Sequence, residues 1–268
     1  MKILGVSRRL VVRITSIIPA GLRWSLTRGL LESHGIGWGA STTDFEAQSA
    51  SRILNKLGIK NPVAIDIGAN IGNWSKAFTT NSPLAVSYAF EPSLATYKQL
   101  LNNIQGYTNI FPSNLGMSEK EGVAKLFTDS VGSGLASLSS RRLDHFNISM
   151  EKFEEVSLST VDIFIKTHNI LPSIVKIDVE GHELSVLLGA SDSISRIPLF
   201  QFEFGGCNLD THTTFQDFWY FFSERNFAIY RLGPRGIVLV ESYSEIYEVY
   251  ITTNYFAINK NYKPDNFA

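Results

Sequence analysis

Residues 173–190 read SIVKIDVEGHELSVLLGA, an apolar stretch that runs into Asp178, Glu180, His182 and Glu183 and then into an apolar periodic segment. Three carboxylates and an imidazole in six residues, where a strand pattern gives way to a helix pattern, suit hydroxyl binding, proton transfer or cation binding. Period-two alternation puts Lys176, Asp178 and Glu180 on one side of the strand and Ile177 and Val179 on the other. Gly181 lets the chain turn, and carboxylates at a helix start suit the positive end of its dipole. His182, with a pKa near neutrality, is the natural proton acceptor, and an adjacent carboxylate can hold its productive tautomer. Asp178 and Glu180 are candidates to bind acceptor hydroxyls or to orient that base. The bland alternative is a capped helix with Glu180 paired to Lys176 or an arginine and His182 in solvent.

A second constellation, AIDIGANIGNWSKAF, places Asp66, Gly68, Asn70 and Gly72 between another strand and another helix. Glycines there permit positive φ and close backbone approach at the carboxyl edge of a sheet, where open α/β sheets bind ligands. The spacing is not the dinucleotide fingerprint, because Asn70 and Asn73 stand where its second and third glycines belong. Glu91 ends the next strand and can accept hydrogen bonds from two ribose hydroxyls. A glycine loop and a ribose carboxylate without a pyrophosphate loop point to a nucleoside ligand lacking phosphates, of which S-adenosyl-L-methionine is the commonest.

These motifs need a sheet to hold them. Strands are predicted at 63–68, 86–92, 108–116, 173–179 and 198–205, with helices at 46–58, 72–80, 93–105, 157–168, 182–191 and 213–225. Apolar runs of this length between helices fit parallel strands buried on both faces. Residues 121–142 read as a strand followed by a Gly/Ser loop, GSGLASLSSRR, which is either a surface loop or a lid bringing hydroxyls and arginines to an acceptor site. Residues 226–258 read as three strands with LGPRG as the first turn. The chain divides into an N-terminal amphipathic helical extension, 1–45, and one α/β domain, 46–268.

A net charge of −1 over 268 residues gives no global field for a polyanion, so nucleic acid is not an expected partner. The exception is local: Lys2, Arg8, Arg9, Arg13, Arg23 and Arg28 all precede the first acidic residue, Glu32. Residues 1–18 form a basic amphipathic helix on a helical wheel, either docked on the domain or lying on an anionic membrane surface. Arginines interrupt every apolar run there, so none approaches the roughly 20 residues that span a bilayer. Cys207 is the single cysteine, which removes disulfide and thiolate-cluster readings and suits a reducing cytoplasm.

VAIDIGANIGNWS, AFEPS, the stretch containing GLASL, and VKIDVEGHELSVLLGA together resemble the FkbM family of S-adenosylmethionine-dependent methyltransferases, over about residues 46–256. The resemblance implies a class I methyltransferase (Rossmann-like) fold: a seven-stranded, mostly parallel sheet with helices on both faces and an antiparallel C-terminal strand. It implies that Asp66, Gly68, Asn70 and Gly72 cradle the methionine end of the cofactor, that Glu91 holds the ribose, and that Asn114 and Leu115 flank the adenine. FPSNLGMS departs from the superfamily pattern in lacking an acidic residue at that place. The implied activity is O-methylation of a sugar in a surface glycan or glycolipid, or of a natural product. A second reading of the acidic turn has Asp178, Glu180 or Glu203 binding Mg²⁺ to acidify the acceptor hydroxyl; the primary assignment has no metal. Two other classes compete: an NAD-dependent oxidoreductase on the same fold, and a non-catalytic binding module.

Overall fold

A computed structural model describes residues 8–38, 42–263 and 267. The helical extension comprises α1 (Arg8–Ser16) and α2 (Ala20–Ser33); the expectation for residues 1–7 lies outside the described residues. The body follows as α3 (Thr43–Lys56), β1 (Val63–Ile67), α4 (Asn73–Asn81), β2 (Val86–Phe90), α5 (Leu94–Asn103), β3 (Ile110–Ser113), β4 (Gly116–Met117) and β5 (Gly122–Thr128). It continues with β6 (Lys152–Ser159), α6 (Val161–His168), β7 (Ile174–Ile177), α7 (Glu183–Leu188), β8 (Leu199–Phe204), α8 (Cys207–Asp210), α9 (Phe215–Ser223), β9 (Phe227–Gly233), β10 (Gly236–Leu239) and β11 (Thr253–Asn259).

The main sheet has the order β10-β9-β11-β8-β7-β1-β2-β3. Parallel pairing joins β3 through β8, and β11 is antiparallel to both β8 and β9. This is the class I methyltransferase arrangement with its antiparallel C-terminal strand. The short hairpin strand β10 adds an eighth member at the edge. No helix among the described residues is long and apolar enough to cross a membrane.

β1 and β7 are buried on both faces, as continuous apolar runs require in a parallel sheet. On one face Ile65, Ile67, Val175, Ile177, Phe200, Phe202 and Phe204 pack with α6, α7 and α9. The opposite face, under α3 and α4, is apolar at Ala64, Ile174 and Leu199 but then turns polar toward the carboxyl ends. Asp66, Lys176 and Gln201 are directly paired neighbours on β1, β7 and β8. Alternation thus lays a buried polar row across the sheet, and Trp74 of α4 donates to Gln201 Oε1 (3.1 Å). Trp74 is buried and stacks on Phe78, with ring centroids 4.8 Å apart.

Three expected boundaries move. The strand expected at 108–116 breaks into β3 and β4, and β4 joins β5 and β6 in a separate three-stranded sheet. Residues 157–159, expected to begin a helix, end β6 instead, and Thr160 caps α6 by accepting from the Ile163 N–H (3.1 Å). The strand expected to reach residue 179 stops at Ile177, before the acidic turn. Ser93 occupies the N-cap position of α5 without capping it through its side chain; its hydroxyl instead donates to Glu154 of β6 (2.7 Å), tying the small sheet to the main one.

Candidate active site

Two loops leave neighbouring strands and cross. Gly68 follows β1 at φ 73°, and a Cβ placed on it would lie 1.7 Å from the Asp178 carbonyl oxygen. No side chain fits there. Gly68 and Ala69 donate to the Phe90 carbonyl (3.0 and 2.9 Å), which ties the loop to β2. The Glu91 carboxylate then clasps it, accepting from the Asn70 N–H (3.0 Å) through one oxygen and the Ser93 N–H (2.9 Å) through the other. Asn114 donates to the carbonyls of Glu91 and Pro92 (2.9 and 2.8 Å).

The turn after β7 uses the same device. Glu183 is fully buried and accepts from the N–H groups of Val179 and Gly181 (both 3.1 Å) and from Asn208 Nδ2 (3.3 Å). Glu180 is held at φ 53°, a left-handed conformation uncommon outside glycine, and Gly181 follows at φ 105°. The alternation expected at Glu180 therefore fails, because the strand has ended. Its carboxylate still reaches the site, paired with Arg141 Nη1, while Arg141 Nε lies 3.5 Å from Asp210. Lys176 Nζ donates to the Gly68 carbonyl (3.0 Å) and pairs with Asp66 (3.2 Å) and Asp178 (3.5 Å), bolting the two loops together from below.

Two cavities open on either side of the crossing. The first, about 90 Å³, is lined by Gly68, Asn70, Glu91, Leu115, Asp178 and Glu180, with apolar walls from Ile67, Met117, Leu126 and Leu158. A strap from the β5–β6 connection, Ser133 to Leu138, covers it. The Ser137 hydroxyl donates to the Glu180 carbonyl (2.7 Å), and Ser137 bridges Phe127 of β5. The second cavity, about 720 Å³, is lined by Gly68, Asn70, Lys176, Asp178, Glu180, Glu203, Arg141, Glu46 and Tyr250. Asp178 and Glu180 face both.

Among the residues expected from sequence, the structure brings Gly68, Asn70, Glu91, Leu115, Asp178 and Glu180 to these cavities. The other four stand behind them. Asp66 is fully buried beneath the loop, accepting from the Ser75 hydroxyl (2.7 Å) and holding Lys176. Gly72 packs against α5, where a Cβ would meet Leu100 at 2.5 Å. Asn114 props the loop as described. His182 lies off both cavities, its Nε2 2.9 Å from the hydroxyl of Ser139, the residue that follows the strap. Sequence reasoning missed Glu46, which comes from α3 and accepts from Thr42 (2.9 Å), Gln201 (2.8 Å) and Asn254 (3.2 Å). A glutamate on the apolar face of EAQSASRILN was the available signal.

Burial dominates the electrostatics. It pushes Glu46 and Glu91 up to about 7, and with Asp178 nearby it pushes Glu180 up to about 8 despite Arg141. Glu203 is held well above the usual carboxylate range by burial and by Asp178 and Glu180. Burial pulls Lys176 toward neutrality, but Asp66 and Asp178 outweigh it and keep the ammonium charged. Burial also lowers His182, leaving a neutral ring at Ser139, and raises the Cys207 thiol, which leaves it a poor nucleophile. Among the described residues, no three His, Cys, Asp or Glu side chains are grouped to hold a metal ion.

A family model described as Methyltransferase FkbM domain matches residues 66–229, which contain both loops, the strap and most of the sheet. Hexuronic acid methyltransferase AglP of Haloferax volcanii is 24% identical over 152 residues, 56% of this chain and 59% of that protein, so the match spans less than two thirds of that relative. Among solved structures, magnesium protoporphyrin IX methyltransferase from Synechocystis PCC 6803 with bound SAM shares 12% identity at a TM-score of 0.43, covering 80% of each chain. TrmK from M. capricolum in complex with S-adenosyl-homocysteine shares 15% identity at a TM-score of 0.42, covering 78% of this chain and 68% of that one.

Proposed function

The chain belongs to the FkbM family of S-adenosylmethionine-dependent methyltransferases, and we propose that it methylates a hydroxyl of a sugar acceptor held in the larger cavity. The observation that carries this reading is that Asp178 and Glu180 stand on the wall common to both cavities. A group there meets a donor on one side and an acceptor on the other. The name of the Haloferax volcanii relative, a hexuronic acid methyltransferase, supports a sugar. The methyltransferase family removes support from the oxidoreductase alternative.

The smaller cavity suits S-adenosylmethionine in its donor chemistry. Glu91 sits at the end of β2 with free lone pairs for ribose hydroxyls, Gly68 and Asn70 offer backbone at close range, and Leu115, Met117 and Leu158 supply apolar walls for a base. Bound there, the cofactor supplies an electrophilic methyl group on a sulfonium. Asp178 and Glu180 would hold and orient an acceptor hydroxyl on the wall that the two cavities share, and positioning of this kind supplies much of a methyl transfer rate. Glu180, at about 8, is poised near working pH to take the hydroxyl proton, with Arg141 fixing the carboxylate. This moves the base from His182 to Glu180. His182 becomes a positioning residue that holds the strap through Ser139. The strap must lift for the cofactor to reach so narrow a cavity.

Radiolabel transfer from methyl-labelled cofactor tests the reading. Purified protein with extracted glycans or lipid-linked sugars should yield labelled, alkali-stable methyl ethers, abolished by Asp178→Asn. Calorimetry showing no binding of S-adenosylhomocysteine would sink the assignment of the smaller cavity.

A further inference from the structure

The extension that precedes the α/β body leaves its apolar side chains uncovered. In α1 and the residue after it, Leu10, Val11, Ile14 and Ile17 are 50, 45, 54 and 83% exposed; in α2, Leu22, Trp24, Leu26 and Leu30 are 56, 74, 49 and 64% exposed. α2 buries no residue. Leu10, Val11, Ile14 and Ile17 fall within one arc of the helical wheel and Arg9 faces away from it, while Arg13 flanks the arc and Val12, 57% exposed, is the apolar exception. A monomeric soluble protein rarely leaves so much apolar surface contiguous.

The charge pattern identifies what would cover it. Arg9, Arg13, Arg23 and Arg28 are all exposed, and Glu32 is the only acidic residue of α1 and α2. Glu32 pairs with Arg28 (3.2 Å), which leaves Arg9, Arg13 and Arg23 without an ion-pair partner among the described residues. Apolar side chains with unneutralised arginines and a largely exposed indole match the water–lipid boundary of an anionic leaflet, where tails accept the apolar face, headgroups the guanidinium groups and the interface the indole. A protein groove would be expected to meet a single face, whereas α2 spreads Leu22, Leu26 and Leu30 on one side and Trp24 on another.

The root of the extension ties this surface to the catalytic body. After α2, the His34 carbonyl accepts from Arg231 Nε of β9, Gly35 abuts the Leu232 backbone, and the Gly37 N–H donates to Thr253 Oγ1 (3.1 Å). A Cβ on Gly37 would lie 2.9 Å from Ile251. Ile251 and Thr252 line the larger cavity, as do Thr43 and Glu46 at the start of α3. The helices therefore join the body at the lip of that cavity.

We propose that α1 and α2 dock this protein on anionic lipid bilayers, bringing the mouth of the larger cavity to the lipid surface. An acceptor anchored in the same leaflet would then be met in two dimensions. That last clause rests on the function proposed above; the docking does not.

The test is sedimentation of the full chain with vesicles of phosphatidylcholine alone or mixed with phosphatidylglycerol. Wild-type protein should pellet with the mixed vesicles and stay in solution with the neutral ones. Each arginine reversed among Arg9→Glu, Arg13→Glu and Arg23→Glu should lower the partition coefficient at least about fivefold, and the combined variant should remain in the supernatant. Leu10→Ser combined with Ile14→Ser and Ile17→Ser should do the same at unchanged charge. S-adenosylhomocysteine binding should be unaltered in both, since no substituted residue lies on either cavity. Wild-type protein left in the supernatant with anionic vesicles, or variants that pellet as it does, would overturn the proposal. So would a concentration-dependent dimer lost in the serine variant without vesicle binding, which would assign the face to a second copy. Loss of S-adenosylhomocysteine binding by wild-type protein would count against the function and not against docking.

Discussion

The exits of β1 and β7 are built alike and finished differently. Each loop is gathered by one buried glutamate that accepts two backbone N–H groups: Glu91 from Asn70 and Ser93, Glu183 from Val179 and Gly181. Burial raises both to about 7. Glu91 lies on a cavity wall, whereas Glu183 is sealed and spends its remaining oxygen on Asn208. The same device thus faces a cavity at one strand end and is sealed into the scaffold at the next, with Asp178 and Glu180 carried on that scaffold. Acidity alone does not mark a functional carboxylate; what its free lone pairs face does.

The largest expected effect comes from removing what the two exits share. Gly68→Ala sets a methyl against the Asp178 carbonyl and should cost about 4 kcal/mol or more of stability, measured by urea unfolding, and abolish cofactor binding as well. A stable Gly68→Ala protein would mean that the loops are free to part. Next comes a matched pair. Glu183→Ala should lose about 3 kcal/mol of stability, because it leaves buried N–H groups without an acceptor. Glu91→Ala should lose affinity for S-adenosylhomocysteine by roughly tenfold to a hundredfold with a smaller change in stability. Equal behaviour of the two variants would break the comparison.

Glu180→Gln should lower kcat about a hundredfold. In wild-type protein a base must be ionised to act, so kcat/KM should rise with pH toward a plateau above about 8, where Glu180 titrates. That limb should vanish in the glutamine variant; a profile instead abolished by His182→Gln would return the base to histidine. A last effect, spread over several carboxylates, is on stability. Glu46, Glu91 and Glu183 have folded pKa values near 7, above the ordinary 4.5, so the unfolded chain releases their protons first. Their contribution is therefore complete below about pH 4.5 and is lost as pH rises to about 7. The urea midpoint of ligand-free protein should be lower at pH 8 than at pH 5, and Glu183→Gln should flatten that slope.

Periodicity and glycine spacing made the parallel half of the sheet legible, because β1, β2, β7 and β8 are short apolar runs covered on both faces. The small sheet was not legible: β6 and α6 meet at Ser159 and Thr160 without a break in apolar content, so VSLSTVDIF reads equally as helix until the threonine cap is seen. Gly68, Asn70 and Glu91, read from the strand-end motifs, do line the cavities beside the crossing, because each stands at or next to a strand end. The site was illegible where position depends on partners distant in sequence. His182 is read as a base by residue type, and the structure sets its ring beside Ser139 and off both cavities. Glu46 became a wall residue only because α3 lies over the polar row of Asp66, Lys176 and Gln201.

The contact between Gly68 and the Asp178 carbonyl also sets the rules for redesign. A β1 loop and a β7 turn that touch backbone to backbone cannot be exchanged as separate modules, since a graft of either brings a surface shaped for its original neighbour. Swapping the 173–190 segment alone between relatives should give misfit chimaeras, whereas moving it together with residues 63–72 preserves the fit. New acceptor preferences are therefore best sought in the strap and α3, which border the larger cavity without passing through that crossing.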